Sequence, residues 1–167
     1  TNFVNCTGLD DAPEASEHRT SAHDIALMSR ELLKNHPDIK KFTTIWMDTV
    51  RGGSFGLSNT NKLVRFYKGA NGMKTGFTSE AGYCLSGTAL RDGMQLIAVV
   101  LGSPTSEDRF ALAKQLLDFG FANYRIVTPE MNLQQTLPVT HGVTDSVGLT
   151  ATAPALLLEK GGGGEVT

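Results

Sequence analysis

Hydrophobic residues at helical spacing predict two main helices in this chain. Apolar side chains recur on one face over 22–33, after the hydroxyl pair Thr20-Ser21, either of which can cap a helix. Pro37 ends this pattern, so a helix is predicted over 21–34. A second helix is predicted over 105–123, because acidic residues follow its hydroxyl-rich start and apolar residues then repeat at helical spacing.

Period-two alternation and turn residues predict the β-structure. Residues 43–50 are rich in β-branched side chains, alternate, and precede a turn at Gly52-Gly53. Residues 83–89 also alternate, and the turn signal Arg91-Asp92-Gly93 separates them from a nearly continuous apolar run over 94–101. The last two segments are typical of an antiparallel hairpin.

The segments between these elements are predicted to be loops and one short helix. Residues 1–19 contain several turn formers and are predicted to be a loop. Residues 36–42 are predicted to form a short helix, and residues 58–61 a polar loop. Gly120 is a candidate C-cap for the 105–123 helix, although the apolar pattern continues beyond this residue.

A change in composition after Val127 predicts two domains. Thr, Val, Pro and Gly dominate the last part of the chain, and helical spacing disappears. We place the boundary between Tyr124 and Met131, with a first domain over 1–126 and the start of a β-rich, truncated domain over 127–167. The predicted fold class is α/β: an antiparallel sheet with packed helices, followed by a partial, small all-β domain. Two short strands are predicted in the second domain, over 133–139 and 147–158.

Composition and charge place the chain among soluble globular proteins. Of 167 residues, 40% are hydrophobic and 19% are charged, which fits neither disorder nor a coiled coil. The net charge of −2, without a Lys/Arg cluster, gives no reason to expect nucleic acid. The sequence has no apolar run of about 18 residues, so no membrane-spanning helix is predicted.

The two ends of the sequence do not resemble natural termini. It begins at Thr1 without Met or a signal-peptide pattern, and it finishes on a glycine-rich tract after Lys160. We therefore expect the chain to be part of a longer protein.

The cysteines and histidines do not predict a metal site. Cys6 and Cys84 are far apart and lack Cys-x-x-Cys spacing, and a disulfide between them is neither predicted nor excluded. Cys84 lies on an alternating segment, which favours a small buried hydrophobe. His18 and His23 are five residues apart, which does not place them on one helix face, and no third ligand is nearby. No metal or organic cofactor is predicted.

The tripeptide Lys74-Thr75-Gly76 is the strongest chemical signal in the sequence. Alone it is weak, since it should occur by chance in about one chain in twenty-five of this length, as a turn with a solvated Lys. Its surroundings strengthen it, because Gly72 precedes it and the predicted hairpin follows it. Glycines at 72 and 76 allow a ligand backbone to approach closely. A Lys ammonium and a Thr hydroxyl beside an exposed strand edge are well suited to hold a carboxylate.

Further segments, in order along the chain, make this motif specific. With them the chain resembles the D-alanyl-D-alanine carboxypeptidases among the low-molecular-mass penicillin-binding proteins, serine peptidases of the S11 type, most closely those of spore-forming Gram-positive bacteria. The resemblance covers about residues 1–125. The matching segments are Phe3-Val4-Asn5-x-x-Gly8-Leu9-Asp10, His18-x-x-Ser21-Ala22-x-Asp24-x-Ala26-Leu27, Asn59-Thr60-Asn61-x-Leu63, Gly72-Met73-Lys74-Thr75-Gly76-Phe77-Thr78 and Asp92-Gly93-Met94-x-Leu96-Ile97.

The resemblance implies an activity and a role for each motif residue. In this family a serine within Ser-x-x-Lys attacks the carbonyl between two terminal D-alanines of a peptidoglycan stem peptide, and water later hydrolyses the acyl-enzyme. Lys74 would supply positive charge near the substrate's carboxylate, and Thr75 would offer that carboxylate a hydroxyl. Gly76 would let the substrate pair along the strand edge. The residue just beyond the motif is Phe77, where a strand N–H would donate to the oxyanion hole.

The chain departs from the family's pattern in two ways. No Ser is followed three residues later by Lys, and Ser-x-Asn is absent, so the nucleophile is expected in a preceding segment and this chain alone is predicted to be inactive. Some relatives have His directly after the motif and Arg within the Asn-x-Asn loop, where this chain has Phe77 and Thr60. Lys74 and Thr75 would then contribute more to carboxylate recognition.

Two other functions remain open. One is a non-catalytic module of the same fold that binds cell-wall peptide or is structural. The other is a β-lactamase relative, against which the flanking segments and the β-rich tail argue. The sequence upstream of Thr1 would distinguish the enzyme, which needs Ser-x-x-Lys and Ser-x-Asn there, from the module, which does not.

The predicted partners follow from the resemblance. They are a peptidoglycan stem peptide ending in D-Ala-D-Ala, β-lactams, and the missing N-terminal segment of the same protein; nucleic acid is not among them. Apolar surface left uncovered by that segment also predicts self-association. The implied compartment is extracytoplasmic, in the cell envelope, with a C-terminal anchoring helix in the parent protein that this sequence lacks.

Overall fold

The computed structural model of the chain describes residues 1–129, 136–149, 151 and 153–161. The chain divides into two compact units, Thr1–Ala122 and Asn123–Thr167. This division lies next to the stretch in which the sequence places a domain boundary. Residues 130 and 131 of that stretch are outside the described ranges.

The first unit, every residue of which is described, consists of a three-stranded sheet, a separate hairpin and helices. Strands β1 and β2 form the hairpin, and β3, β4 and β5 form the sheet in that order, so β3 and β5 are its edges. In chain order the elements are α1 (Ala22–Asn35), α2 (Lys40–Thr43), β1 (Met47–Val50), β2 (Phe55–Ser58), α3 (Leu63–Phe66), β3 (Ala70–Thr78), β4 (Gly82–Arg91), β5 (Met94–Ser103) and α4 (Ser106–Asn123).

The predicted antiparallel hairpin is confirmed as β4 and β5. Asp92 and Gly93 form its turn with positive φ angles of 48° and 77°, as in the primed turns that match the twist of a hairpin. On its other side β4 pairs with β3, in a register that places Gly76 opposite Cys84. The Lys-Thr-Gly motif therefore belongs to the outer strand of this sheet.

The two predicted long helices are confirmed and pack on opposite faces of the sheet. Helix α1 contacts β4 through the hydroxyls of Ser29 and Ser86, 2.7 Å apart. Helix α4 contacts Leu96, whose partner on β4 is Ala89. Ser86 and Ala89 are three positions apart on one strand and so point to opposite faces. The buried apolar side chains include Leu33, Leu63, Leu85, Ala89, Ala98, Phe110, Ala113 and Leu117.

Hydroxyl side chains cap both long helices. Ser21 Oγ accepts a hydrogen bond from the N–H of Asp24 at 3.1 Å. Thr105 Oγ1 accepts one from the N–H of Asp108, also at 3.1 Å. In both cases the cap satisfies a backbone donor that has no partner inside the helix, which explains why these helices begin where the sequence predicted.

The predicted C-cap role of Gly120 is wrong. Helix α4 continues through Gly120 and ends at Asn123. Gly120 is buried, and a Cβ on it would lie 2.5 Å from Leu96 Cδ1. The glycine lets α4 approach the sheet closely and does not terminate the helix.

The predicted strand over 43–50 is only half right. Strand β1 begins at Met47, whereas Thr43 is the last residue of α2 and Thr44 is its C-cap. The hydroxyl of Thr44 donates to the carbonyl of Lys40 at 2.6 Å. The N–H of Thr44 also donates to this carbonyl, at 3.2 Å, which closes the last turn of α2 although the residue type favours a strand.

The remaining predicted segments of the first unit agree with the structure, except that Ser58 of the predicted 58–61 loop is the last residue of β2. Residues 1–19 form a loop that contains one 3₁₀ helix, Pro13–Glu17. The short helix predicted over 36–42 is confirmed as a 3₁₀ turn, Pro37–Ile39, that continues into α2. Among the described residues, no helix combines the length and hydrophobicity needed to span a bilayer.

The described part of the second unit consists of short antiparallel strands, in which β6 pairs with β9 and β7 with β8. The strands predicted over 133–139 and 147–158 coincide in part with β7, β8 and β9. Residues 133–135, 150 and 152 of those predictions lie outside the described ranges. The strands are β6 (Tyr124–Val127), β7 (Thr136–Pro138), β8 (Ser146–Gly148) and β9 (Leu156–Glu159).

Gly69, directly before β3, should not tolerate a side chain. Its φ is +79°, and an added Cβ would lie 2.4 Å from the carbonyl oxygen of Leu90. We expect Gly69→Ala to lower the free energy of unfolding by about 2–4 kcal/mol in urea denaturation, through left-handed strain and overpacking together. Gly53→Ala is the control, because Gly53 has a φ of +89° but nothing within 4 Å of its added Cβ. Equal losses in both variants would show that the Leu90 contact is unimportant.

The raised pKa of Tyr67 predicts that the free energy of unfolding falls at alkaline pH. Burial raises the pKa of Tyr67 to about 12, helped by the hydrogen bond that its hydroxyl donates to Asp118 at 2.6 Å. Because the folded state disfavours the phenolate, stability present below pH about 10 should be lost as the pH rises towards about 12. Urea unfolding of Tyr67→Phe should lack this decline, so parallel pH profiles for variant and wild type would contradict the prediction.

Candidate active site

The Lys-Thr-Gly motif lies in the middle of β3, at an open edge of the sheet. Strand β3 pairs with β4 and with no other described strand. At Gly76 an added Cβ would meet only Cys84 Cβ, at 3.9 Å, so this position is open to a ligand. Gly72, by contrast, is buried against the hydroxyls of Thr43 and Thr88. The space that this glycine leaves is therefore used by these two side chains and not by a ligand.

The hydrogen-bonding groups of β3 alternate between β4 and the open edge. Arg109 of α4 donates through Nη1 to the carbonyls of Gly76 and Cys84, at 3.0 and 3.2 Å. Two carbonyls that share one donor lie close together. This arrangement is that of a hydrogen-bonded antiparallel pair, in which the two opposite residues exchange both backbone hydrogen bonds. The N–H and C=O groups of Thr75 and Phe77 consequently point to the open edge.

The ammonium of Lys74 lies against this edge. The side chain is exposed, and Nζ donates to the carbonyl of Thr75, one of the groups that point away from β4. No ion pair joins Lys74 to a carboxylate within the described ranges. The edge therefore has a positive charge that the described residues leave unneutralised.

Thr75 is buried, with 7% of its surface exposed. Its Oγ1 lies 2.6 Å from Oγ1 of Thr60, which is exposed. The sequence predicts that Thr75 offers its own hydroxyl to a ligand. In the structure this hydroxyl is hydrogen-bonded to that of Thr60, the more exposed residue of the pair. When two hydroxyls share one hydrogen bond, one of them keeps its proton for another acceptor.

The Asn-x-Asn segment holds Thr60 beside β3. Asn61 is 2% exposed, and its Nδ2 donates to the carbonyl of Gly72 at 2.9 Å. Its Oδ1 accepts from the N–H of Leu63 at 3.2 Å, at the start of α3. Asn59 Oδ1 in turn accepts from the N–H of Asn61 at 2.9 Å. These bonds connect the loop between β2 and α3 to the beginning of the motif strand.

An aromatic pair follows the motif along β3. The ring of Phe77 is 55% exposed and lies 4.3 Å, between centroids, from the ring of Tyr83, its partner on β4. The guanidinium of Arg109 lies 5.3 Å from the centroid of the same Tyr83 ring. The pair forms an apolar surface next to the outward-pointing backbone of Phe77.

A cavity of about 200 Å³ lies beyond the end of β3. Thr78, the last residue of β3, lines it, so the cavity adjoins the end of the motif strand. His18 is another lining residue, and its ring is fixed by stacking on Phe3 and by the N–H of Val4 at 3.4 Å. The remaining lining residues are Gly8, Leu9, Asp10, Ala15, Arg19, Glu80 and Ala81.

The cysteines are both free thiols, Cys6 exposed and Cys84 half-buried. Within the described ranges, no group of three or more His, Cys, Asp and Glu side chains is placed to hold a metal ion. Two contacts of the site were not predicted. One is the bond between Thr60 and Thr75, and the other is the contact of Arg109 with the motif strand.

Comparison with known proteins identifies the family of this fold and site. The family model described as D-alanyl-D-alanine carboxypeptidase, of the S11 peptidases, matches residues 1–105. The chain therefore belongs to the D-alanyl-D-alanine carboxypeptidase family, as its ordered sequence segments indicate.

Curated proteins of the same kind are similar over much of the chain. D-alanyl-D-alanine carboxypeptidase DacF of Bacillus subtilis is 40% identical, over 97% of this chain and 42% of that protein. DacC of Escherichia coli is 35% identical, over 77% of this chain and 31% of that protein. The chain thus spans less than half the length of these relatives.

Solved structures show the same fold. Penicillin-Binding Protein D2 from Listeria monocytogenes, in its cefotaxime-bound form, has a TM-score of 0.66 and 38% identity, over 72% of this chain and 48% of that one. Penicillin binding protein 5 from Haemophilus influenzae has a TM-score of 0.72 and 32% identity, over 96% of this chain and 46% of that one. The mixed α/β fold predicted from sequence is therefore confirmed as that of the penicillin-binding proteins.

Proposed function

We propose that the protein containing this chain is a serine-type D-alanyl-D-alanine carboxypeptidase, and that the chain supplies one wall of its active site. The observation that supports this most directly is the open edge of β3, where the Lys74 ammonium and the outward N–H of Phe77 lie together. Family membership supports the same reaction. The complete reaction would be a property of the longer protein, because the chain spans only 42% of its relative DacF.

The proposed reaction removes the terminal D-alanine in two steps. A serine outside this chain attacks the carbonyl carbon of the penultimate D-alanine and passes its proton to a base. The amide bond then breaks, the leaving nitrogen takes a proton, and D-alanine departs while an ester to the serine remains. Water attacks this ester, which releases the shortened peptide and restores the serine hydroxyl.

The β3 edge would stabilise the negative charges of this reaction. The N–H of Phe77 would donate to the oxyanion that develops on the attacked carbonyl. The peptide backbone would pair with the edge as an added strand, passing Gly76 without obstruction. Lys74 would balance the charge of the terminal carboxylate.

Thr60 and Thr75 would bind that carboxylate as a pair. Because Thr75 is buried and Thr60 is exposed, Thr75 would donate to Thr60, and Thr60 would donate its own proton to the carboxylate. This order uses the hydroxyl that a ligand can reach. It also makes Lys74 the main source of positive charge at the motif.

The proposed ligands are a peptidoglycan stem peptide ending in D-Ala-D-Ala and the β-lactams. The cefotaxime-bound structure of the similar Listeria protein supports the second ligand class. We place the whole protein outside the cytoplasm, in the cell envelope, held by a C-terminal anchoring helix. In this proposal residues 1–126 are the C-terminal part of the catalytic domain, and residues 127–167 begin a β-rich domain.

The rest of the same protein would cover an apolar surface on β5 and α4. Leu112, Leu116 and Phe119 are 45%, 52% and 62% exposed, and they line a shallow groove with Leu101 of β5. Strand β5 is also the second open edge of the sheet. The segment that contains the nucleophile would bury these groups, and without it the chain would self-associate.

A non-catalytic module that binds cell-wall peptide is the second candidate function. It is favoured by the absence of Ser-x-x-Lys and Ser-x-Asn from this sequence. Both functions would use the same carboxylate-binding edge, and they differ in whether the full-length protein forms a covalent adduct.

Lys74→Ala should slow acylation of the full-length protein by a fluorescent penicillin by roughly 100-fold or more, because a preorganised charge is lost from the cleft. The measurement is the rate at which the protein becomes labelled on a denaturing gel. The matched control is Lys68→Ala, which removes an exposed cation nearby in the sequence and should leave the rate unchanged.

The isolated chain of 167 residues should not be labelled at all, since it has no poised nucleophile. Labelling of the isolated chain, or a wild-type rate in Lys74→Ala, would contradict the proposed role of the chain. Absence of labelling in the full-length wild type would favour the binding module.

Thr60→Val should weaken binding of a peptide ending in D-Ala-D-Ala by about tenfold, since a hydrogen bond to a charged group is lost. Binding is measured as the half-saturating peptide concentration in the full-length protein. Thr60→Ser keeps the hydroxyl and should bind normally. A peptide with an amidated C-terminus is the second control: the Val substitution should not change its already weak binding. An equal loss for both peptides would argue against carboxylate recognition by Thr60.

A further inference from the structure

Arg109 is a buried cation that has no carboxylate partner among the described residues. It is 6% exposed, and none of the ion pairs in the described ranges includes it. Its Nη1 donates to the carbonyls of Gly76 and Cys84, while its buried Nε has no hydrogen-bond partner among the described residues. The guanidinium also lies 5.3 Å from the ring centroid of Tyr83 and 4.9 Å from that of Phe110.

Stability alone does not explain a guanidinium at this position. Removing a charge from water is unfavourable, and two carbonyls and two aromatic faces compensate for it only in part, since Nε remains unbonded. An apolar side chain of similar length, such as Met, would fill the same space without that penalty. What Arg provides and Met cannot is a donor aimed at the motif strand.

We propose that Arg109 is a positioning residue that sets the open edge of β3 for acylation. It acts on Phe77 by two routes: it holds the carbonyl of Gly76, the residue before Phe77, and it packs on Tyr83, whose ring contacts that of Phe77. The inference rests on the proposed function, in which the Phe77 N–H stabilises the oxyanion. A small displacement of that N–H would slow the chemical step more than it weakens binding.

Arg91 offers a matched comparison within the same sheet. It also lies over two aromatic rings, those of Tyr67 and Phe121, both at 4.4 Å. Its Nε likewise donates to a backbone carbonyl, that of Lys68, at 3.0 Å. However, Arg91 is at the end of β4 that is remote from Gly76. Replacing it should therefore disturb similar packing while leaving the motif edge in place.

The test compares Arg109→Met, Arg109→Lys and Arg91→Met in the full-length protein. Acylation by a penicillin is measured over a range of concentrations, which separates the maximal rate from the half-saturating concentration. Arg109→Met should lower the maximal rate by about 10- to 100-fold and change the half-saturating concentration by less than about threefold. Arg109→Lys should recover part of the rate, because an ammonium still donates to a carbonyl. Arg91→Met should keep the wild-type maximal rate.

Thermal unfolding and amide hydrogen exchange of the same variants report on structure without acylation. Arg109→Met should unfold at or near the wild-type temperature, because Met fills the same space without a buried charge. Exchange over 73–78 should nevertheless become faster in Arg109→Met and not in Arg91→Met.

The possible results separate this inference from the proposed function. A wild-type maximal rate in Arg109→Met would overturn the positioning role while leaving the carboxypeptidase function intact. Equal losses of rate in the two Met variants, together with equally lowered unfolding temperatures, would overturn it as well, because the effect would be merely structural. If the wild type itself is not acylated, both the proposed function and the proposed role of Arg109 are contradicted.

Discussion

The candidate site depends on one constraint: among the described strands, β3 has a pairing partner on one side only. Strand β4 satisfies alternate backbone groups of β3, and the others face the open edge. Such an edge usually promotes aggregation, because its unpaired backbone groups can bond to a strand of another chain. Here the strand is fixed by side-chain hydrogen bonds to its carbonyls, from Asn61 to Gly72 and from Arg109 to Gly76. The fold thus keeps an unpaired edge in a fixed position, which is what the addition of a substrate strand requires.

The two polar residues of the motif have different environments because the strand alternates. Thr75 points into the protein and meets Thr60, whereas Lys74 is exposed and turns along the edge. Side-chain hydrogen bonding therefore extends the motif beyond its three residues. The Asn-x-Asn loop contributes the exposed residue Thr60, and α4 contributes the donor that bonds to the backbone of the motif strand.

Local pattern predicted the parts of the fold that depend on local interactions. The β4–β5 hairpin follows from alternation over 83–89 and from the Asp92-Gly93 turn, and both long helices follow from caps and apolar spacing. Prediction failed where backbone hydrogen bonding of a helical turn outweighed strand propensity, as at Thr44, or where close packing of α4 on the sheet required a glycine, as at Gly120. The contact of Arg109 with Gly76 spans 33 positions and could not be read from neighbours. A signal was present, because Arg109 is four residues before Ala113 and falls on the buried face of α4.

In the proposed function, the uncharged Thr60–Thr75 pair would affect how carboxylate binding at the β3 edge responds to ionic strength. An Arg at position 60 would place a second cation beside Lys74, and counter-ions would screen both. At physiological ionic strength the screening length is about 8 Å, so an exposed cation attracts distant anions weakly, whereas hydrogen bonds made at contact are little affected. Recognition that combines one ammonium with a hydroxyl should therefore change less between dilute and salty media.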